Sequence, residues 1–507
     1  MRSTFSGFNT ARSGLFAAQR ALDVVGHNIA NVNTPGYTRQ RVEQTASTPM
    51  AIAGGKGMLG TGVNTLAVKQ LRNEFLDYKY RSEINSQGYW EVKRDGLSLI
   101  ESIMNEPSDT GIATVMDELF SSFQELSKNP ENQTTRSLVR QRAIAFTNSV
   151  NSTYNQLEKM ATDLNFDIQT TVKTINTYAE QIAVLNEQIY RFELNGSNAN
   201  DLRDQRNYLI DQLSKLVNVD VIEVSDGNYN VASDQEHVGK KMVLQINGQS
   251  LVSHDRVYKL SAEEKQKSEF FDEMGADVHL NVVQWADGSK LNTKALQGEL
   301  RALLDLRDGD SGANKGVPYY INELNRFVEV FAQEINDLHV EGYGLGGETG
   351  YLFFTANGVS TLDMQNPDAP KITAKNIKIS LDIEDPNKIA ASSSEDLLPG
   401  DGSIALKMLE LRHKSSMFQE GKPEDFIKSL ISNLGVDTQE AIRNAYNQYT
   451  LTEQVDIERQ RISGVSTDEE LSKMVMFQHA YNASARMMTT MDEMLETIIS
   501  RVGLVGR

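Results

Sequence analysis

Three short strings contain residue types that could carry out catalysis. "GDSGA" at 309–313 holds a serine in a Gly-Asp-Ser-Gly setting of the kind that surrounds a serine-protease nucleophile. It follows a helical run and lacks a further glycine, and no upstream His–Asp context in a β-barrel is evident, so it reads as a helix-ending turn. In "GYGLGGETG", Gly342, Gly344 and Gly347 fit a G-x-G-x-x-G string. A dinucleotide-binding loop must follow a strand and open a helix, whereas this one follows a helix. The seven histidines (His27, His237, His254, His279, His339, His413 and His479) include no pair at metal-ligand spacing on one helix. There is no phosphate-binding Walker loop. These patterns point to no catalytic residue, no metal ligand and no cofactor.

Asparagine is the remaining polar cluster. "GHNIANVNTPGYTR" (26–39) places Asn28, Asn31 and Asn33 ahead of Pro35 and Gly36. Asn28 and Asn31 fall on one helix face and read as helix-ending residues, because asparagine bonds its own backbone and tolerates left-handed geometry. Pro35-Gly36 suits the two central positions of a type II turn.

The elements around these strings are mostly helical. Phe8, Ala11, Leu15, Ala18, Leu22, Val25 and Ile29 are spaced alternately three and four apart, an amphipathic first helix. The last helix mirrors it, with Met474, Phe477, Tyr481, Ser484, Met488, Met491, Leu495, Ile498 and Val502 along one seam. Ser466 and Glu469 have capping-box spacing at its start, and Asp468, Glu469 and Glu470 complement the helix dipole. In the interior, Ile168, Ile175, Ile182 and Ile189 recur every seven residues, with Leu164, Thr171, Tyr178, Leu185 and Phe192 as the second row. Residues 164–192 would span about 43 Å as a helix. After "LNGSNAN" (194–200), residues 201–217 form a second amphipathic helix, expected as an antiparallel neighbour.

From Val219 the runs "VDVIEV", "NYNVAS", "KMVLQING" and "VHLNVVQW" are β-branched and separated by DG, NG and ADGS turns. The expected architecture is mainly α with β-rich inserts: N- and C-terminal helices paired as a coiled coil, a long helical-bundle stem, and outer β domains. The boundaries expected are 1–36 with 466–507 for the terminal pair and 37–72 for a loop with short strands. The stem takes 73–218, 292–341 and 401–465, leaving 219–291 as a β-rich domain and 342–400 as a second irregular or β segment.

Composition bounds the function. The 507 residues carry a net charge of −19 and no cysteine, so thiolate chemistry and disulfides are excluded. A cysteine-free chain fits a reducing compartment or export as an unfolded polypeptide. Charge is uneven: residues 1–72 are net +6, which leaves −25 on the rest. So acidic a chain is a poor nucleic-acid binder. The basic start superficially matches a mitochondrial transit peptide, but its segment reads as structural. No run is long and apolar enough for a transmembrane helix, and residues 1–30 do not read as a cleavable secretory signal.

Each terminal helix has one apolar stripe, and isolated helices are marginal in water. Two readings stay open. The pair closes a core within one chain, or it becomes ordered only when further partners cover it.

"SGLFAAQRALDVVGHNIANVNTPGYTR" (13–39) resembles the N-terminal signature of the bacterial flagellar rod, hook and hook-associated proteins. Asn28, Ile29, Ala30, Asn31, Thr34, Gly36 and Tyr37 fall on its pattern. "FQHAYNASARMMTTMDEMLETII" (477–499) is similar to the paired C-terminal helix of that family, with Met487, Met488 and Met491 where smaller or β-branched residues are common. The strings at 199–221, 298–308, 335–354 and 463–474 resemble the hook-associated branch. Together with the chain length, they favour it over the hook protein.

The resemblance implies a structural, non-enzymatic subunit at the junction of hook and filament, outside the cell after a transient cytoplasmic stage. Implied partners are other copies in a ring, hook protein subunits, the adjoining hook-associated protein on the filament side, an export chaperone at the C-terminal helix, and the type III export apparatus. Nucleic acid and membrane insertion are not expected. The residues expected to mediate assembly are Phe8, Leu15, Leu22, Asn28, Ile29 and Asn31, and Met474, Phe477, Tyr481, Met488, Leu495 and Ile498. A secreted enzyme on an axial scaffold and a cytoplasmic coiled-coil protein are the alternatives of other classes.

Overall fold

The computed structural model describes residues 6–51, 57–104, 108, 111–194, 196–225, 240–263, 265–273, 278–312 and 314–501. Among them are helices α1 (Ser6–Ala30), α2 (Glu74–Met104), α3 (Ile112–Lys128), α4 (Gln133–Glu193), α5 (Asn200–Leu216) and α6 (Glu269–Glu273). Then follow α7 (Glu299–Asp308), α8 (Val317–Glu341), α9 (Thr361–Met364), α10 (Ser403–Glu410), α11 (Pro423–Ser463) and α12 (Thr467–Arg501). Long helices with small sheets between them match the expected mainly α class. Residues 1–86, 174–259 and 448–507 form one compact unit, and 87–173 with 260–447 form a second. Helices α2, α4 and α11 contribute residues to both.

In the first unit, α1 lies on a hairpin of β1 (Gln40–Ala46), β2 (Met50–Ala51), β3 (Met58–Leu59) and β4 (Val63–Gln70), with β1 antiparallel to β4. The pairing is longer than its glycine-rich sequence suggests, although Gly54 and Gly55 lie outside the described residues. Gly62, at φ +126°, allows close approach to α1: a Cβ there would come 2.2 Å from Ser13 Oγ. That hydroxyl instead accepts the Val63 N–H at 3.2 Å.

Ile168, Ile175, Ile182 and Ile189 of α4 are all buried, as their spacing predicts. The second row differs. Leu164 is buried as its place in that row predicts, but beyond it Val172, Ala179, Asn186 and Glu193 are buried, whereas Thr171, Tyr178 and Leu185 are half-exposed and Phe192 is 53% exposed. Asn186 and Glu193 break the apolar pattern, and α5 explains their burial. Arg206 donates to Asn186 at 3.0 Å, and Arg203 holds both Glu193 oxygens at 2.6 and 2.7 Å.

Beyond α5, the strands β5 (Asp220–Ser225), β6 (Lys240–Ile246), β7 (Gln249–Ser253) and β8 (Arg256–Val257) form one antiparallel sheet in that order. Its β6–β7 turn is Asn247-Gly248, both at positive φ (50° and 81°), as an Asn-Gly hairpin requires. "NYNVAS" lies outside the described residues. "VHLNVVQW" is not one strand: His279–Asn281 pairs with 265–267, and Gln284–Trp285 with 260–261.

The second unit is built on aromatic packing. Phe120, Phe123, Phe146, Phe327, Phe331, Phe353 and Phe354 are fully buried, and the Phe146 and Phe331 rings sit 4.9 Å apart. The 342–400 segment is mostly irregular, with Phe354–Ala356 paired to Ile377–Ile379. Side chains satisfy its backbone. Asn336 accepts the N–H groups of Phe353 and Phe354 and donates to Phe354 O, and the buried Arg136 donates to Ile389 O. The Gly-Asp-Ser-Gly string is a tight hairpin after α7, in which Ser311 Oγ donates to Asp310. Ala313, its last residue, lies outside the described residues. The Gly342–Gly347 string is a loop after α8, as read from the sequence.

Candidate functional site: the terminal-helix junction

Helices α1 and α12 run antiparallel along each other. A Cβ on Gly7 would meet Met491, and one on Gly14 would meet Ser484, so seven residues along one helix match seven back along the other. The deepest α1 positions are Ala11, Ala17, Ala18, Ala21, Val25 and Asn28. Phe8, Leu15, Leu22 and Ile29 are half-buried, because the small residues let α12 approach closely and leave the large ones at the edges of the contact. Ala17 is buried beside the hairpin, where its carbonyl accepts from Gln44 at 3.3 Å. On α12, Met474, Phe477, Tyr481, Met488 and Leu495 are half-buried. Ile498 is 45% exposed, and Val502 lies outside the described residues.

Asn28 differs from its sequence reading. It sits in the last turn of α1, but its carboxamide bonds other segments rather than its own helix end. It donates to Gln40 O (2.9 Å) and Glu470 Oε2 (2.9 Å), and accepts from Tyr37 Oη (2.8 Å) and Gln40 N (3.0 Å). Asn31 does end the helix, with its side chain bonded to His27 O at 3.0 Å. The Thr34-Pro35-Gly36-Tyr37 turn closes with Tyr37 N–H on Thr34 O (3.1 Å) and Gly36 at φ +77°. A Cβ on Gly36 would meet Tyr208 at 2.8 Å. The turn thereby returns Tyr37 to Asn28, and burial pushes the Tyr37 phenol up from its ordinary pKa.

The acidic start of α12 is also reassigned. Ser466 Oγ lies 3.5 Å from Glu469 N, but the Glu469 carboxylate pairs with Arg39 at 2.7 Å, leaving the capping box half-made. Glu470 is buried between Asn28 and Lys473.

A second polar layer lies beneath the turn. Asp204 accepts the Thr38 N–H at 2.9 Å, Arg72 reaches Asp77 at 2.6 Å, and Asp211 takes both Arg81 (2.7 Å) and Arg459 (2.6 Å). Burial raises the Asp204 carboxyl to about 6 despite these donors. A cleft of about 520 Å³ opens here, with Pro35, Gly36, Tyr208, Arg459 and Gly464 in its lining. Sequence reading passed over Tyr37, Gln40, Asp204 and Glu470 as partners, because each bond joins residues distant along the chain or inside a turn. Among the described residues no cluster could hold a metal ion, and no helix is long and apolar enough to cross a membrane.

Terminal helices paired with each other, with a helix-ending turn tied into the pair, define a class of subunit whose ends carry the contact. The two ends match flagellar families: residues 8–38 match "Flagella basal body rod protein", and 459–501 match "Flagellar basal body rod FlgEFG protein C-terminal". Residues 97–354 match "Flagellar hook-associated protein FlgK helical domain". Flagellar hook-associated protein 1 of Bacillus subtilis is 35% identical over 525 residues, covering 100% of both chains. The Escherichia coli protein of that name is 26% identical, covering 97% of this chain and 99% of its own. A solved structure, the flagellar hook junction protein FlgK from Burkholderia pseudomallei, shares the fold with a TM-score of 0.59 at 14% identity, over 78% of this chain and 100% of that one. The chain belongs to the flagellar hook-associated protein 1 family, structural proteins of the bacterial flagellum.

Proposed function

We propose that this chain is a non-catalytic building block of the hook–filament junction, whose copies form a ring by joining their α1–α12 pairs. The carrying observation is the apolar surface that α12 leaves uncovered. Met476, Met487 and Met494 are 55%, 51% and 54% exposed although they flank the seam that α1 covers. Methionine packs adaptably, which suits a helix that must meet neighbours with different surfaces. Repeated head-to-tail contacts between identical copies build rings or tubes.

The remaining partners follow from this reading. Hook protein subunits lie on one side and the adjoining hook-associated protein on the other. The chain reaches this extracellular position through the type III export apparatus after a cytoplasmic stage in which a chaperone holds the α12 segment. Absence of cysteine suits such passage. In assembly, Phe8, Leu15, Leu22, Ile29 and Asn31 meet partners from α1, and Met474, Phe477, Tyr481, Met488, Leu495 and Ile498 from α12.

Leu22→Asp or Leu495→Asp leaves the second unit folded and abolishes incorporation, read as loss of the chain from purified flagella. Normal filament growth with either variant overturns the proposal.

A further inference from the structure

The α1–α12 contact carries little that distinguishes one alignment from another. Gly7, Gly14, Ala21 and Asn28 occupy one heptad position on α1, and Met491, Ser484, Phe477 and Glu470 occupy the facing one on α12. Three of the four α1 residues have no side chain beyond Cβ, and three of the four α12 residues are methionine, serine or phenylalanine. A slip of seven residues would again set small residues against larger ones. Apolar contacts of this kind are non-directional and tolerate such a shift.

Asn28 and Glu470 are the exception. Each is 1% exposed. The Asn28 carboxamide is held from behind by Gln40 in both directions and by Tyr37 Oη, so one Nδ2 hydrogen is left, aimed at Glu470 Oε2. The other Glu470 oxygen takes Lys473 at 2.6 Å. In the alignment one heptad away, Glu470 would face Ala21, which offers no donor. In the opposite slip, Asn28 would face Phe477. Either alignment leaves a buried polar group without its partner, which costs more than an apolar mismatch.

We propose that Asn28 and Glu470 are the register-setting pair of the terminal coiled coil, and that the turn through Pro35, Gly36 and Tyr37 serves to orient Asn28 for this role. The pair acts as a single buried asparagine does in other coiled coils, by making one alignment better than its neighbours. The inference rests on geometry within one chain and does not depend on the ring proposal.

The absence of native cysteine allows a direct test in the purified full-length chain. A Cβ on Gly14 would lie 4.0 Å from Ser484 Cβ, within the range of a disulfide, so Gly14→Cys with Ser484→Cys reports the observed register. Gly7→Cys with Ser484→Cys reports the slipped one. With Asn28 and Glu470 intact, the first pair oxidises roughly tenfold more than the second. With Asn28→Leu and Glu470→Leu together, that preference falls toward equality, while Glu470→Gln, which keeps an acceptor for Asn28, preserves it. If the preference persists in the double-leucine variant, or both signals fall together at an unchanged ratio, the pair contributes stability alone and the inference is wrong.

Discussion

Arg206 on α5 donates to the side-chain oxygen of Asn186 on α4 at 3.0 Å, and both side chains are buried. Two turns further along α4, Arg203 makes a two-pronged pair with Glu193, whose oxygen also accepts the Ala199 N–H at 3.3 Å. The polar residues of the α4 stripe are therefore the places where α5 is attached. Burial holds the Arg206 guanidinium down to about 9, so its packing beside Arg203 is tolerated only with nearby acceptors.

Removing one member of such a pair is more damaging than removing both. Arg203→Ala leaves the Glu193 carboxylate buried with a single backbone donor, and destabilises the first unit by about 3 kcal/mol. Arg203→Met combined with Glu193→Leu recovers most of that loss. Urea titration followed by circular dichroism measures both, and an Arg203→Ala chain as stable as the parent contradicts the assignment.

His339 makes the second unit sensitive to acid. Its Nδ1–H donates to Tyr351 O at 2.6 Å and its Nε2 accepts the Ala390 N–H at 3.0 Å, so the ring is locked neutral, and burial lowers its pKa to about 4. An unfolded histidine titrates near 6.5, so the unfolded chain binds the proton first. The contribution is complete above pH 6.5, is lost progressively as pH falls toward 4, and changes no further below that. Thermal midpoints of the parent should fall across this window relative to those of His339→Asn, which cannot titrate. Parallel curves would exclude the role.

The uncovered apolar surface of α12 separates stability from assembly. Met487 is 51% exposed beside the α1 seam, so Met487→Asp changes the stability of the isolated chain by less than about 0.5 kcal/mol. On the ring proposal it still blocks incorporation into flagella. Wild-type incorporation of Met487→Asp would place the subunit contact elsewhere.

Much of the fold was legible in single stretches of sequence. The isoleucine row at 168–189, the two amphipathic terminal helices, the Asn247-Gly248 hairpin and the Pro35-Gly36 turn all follow from spacing and backbone preference, which act over a few residues. Past Leu164 the buried second row of α4 is not legible in this way, because buried Asn186 and Glu193 look like surface residues until their arginines on α5 are in place. Asn28 hides its role for the same reason. By itself it is an ordinary helix-end residue, and the chemistry that buries it is a carboxylate 442 positions away. Local pattern reveals which residues want burial or a turn. Which polar group satisfies which is a matter of three-dimensional proximity, and only the tertiary structure decided it.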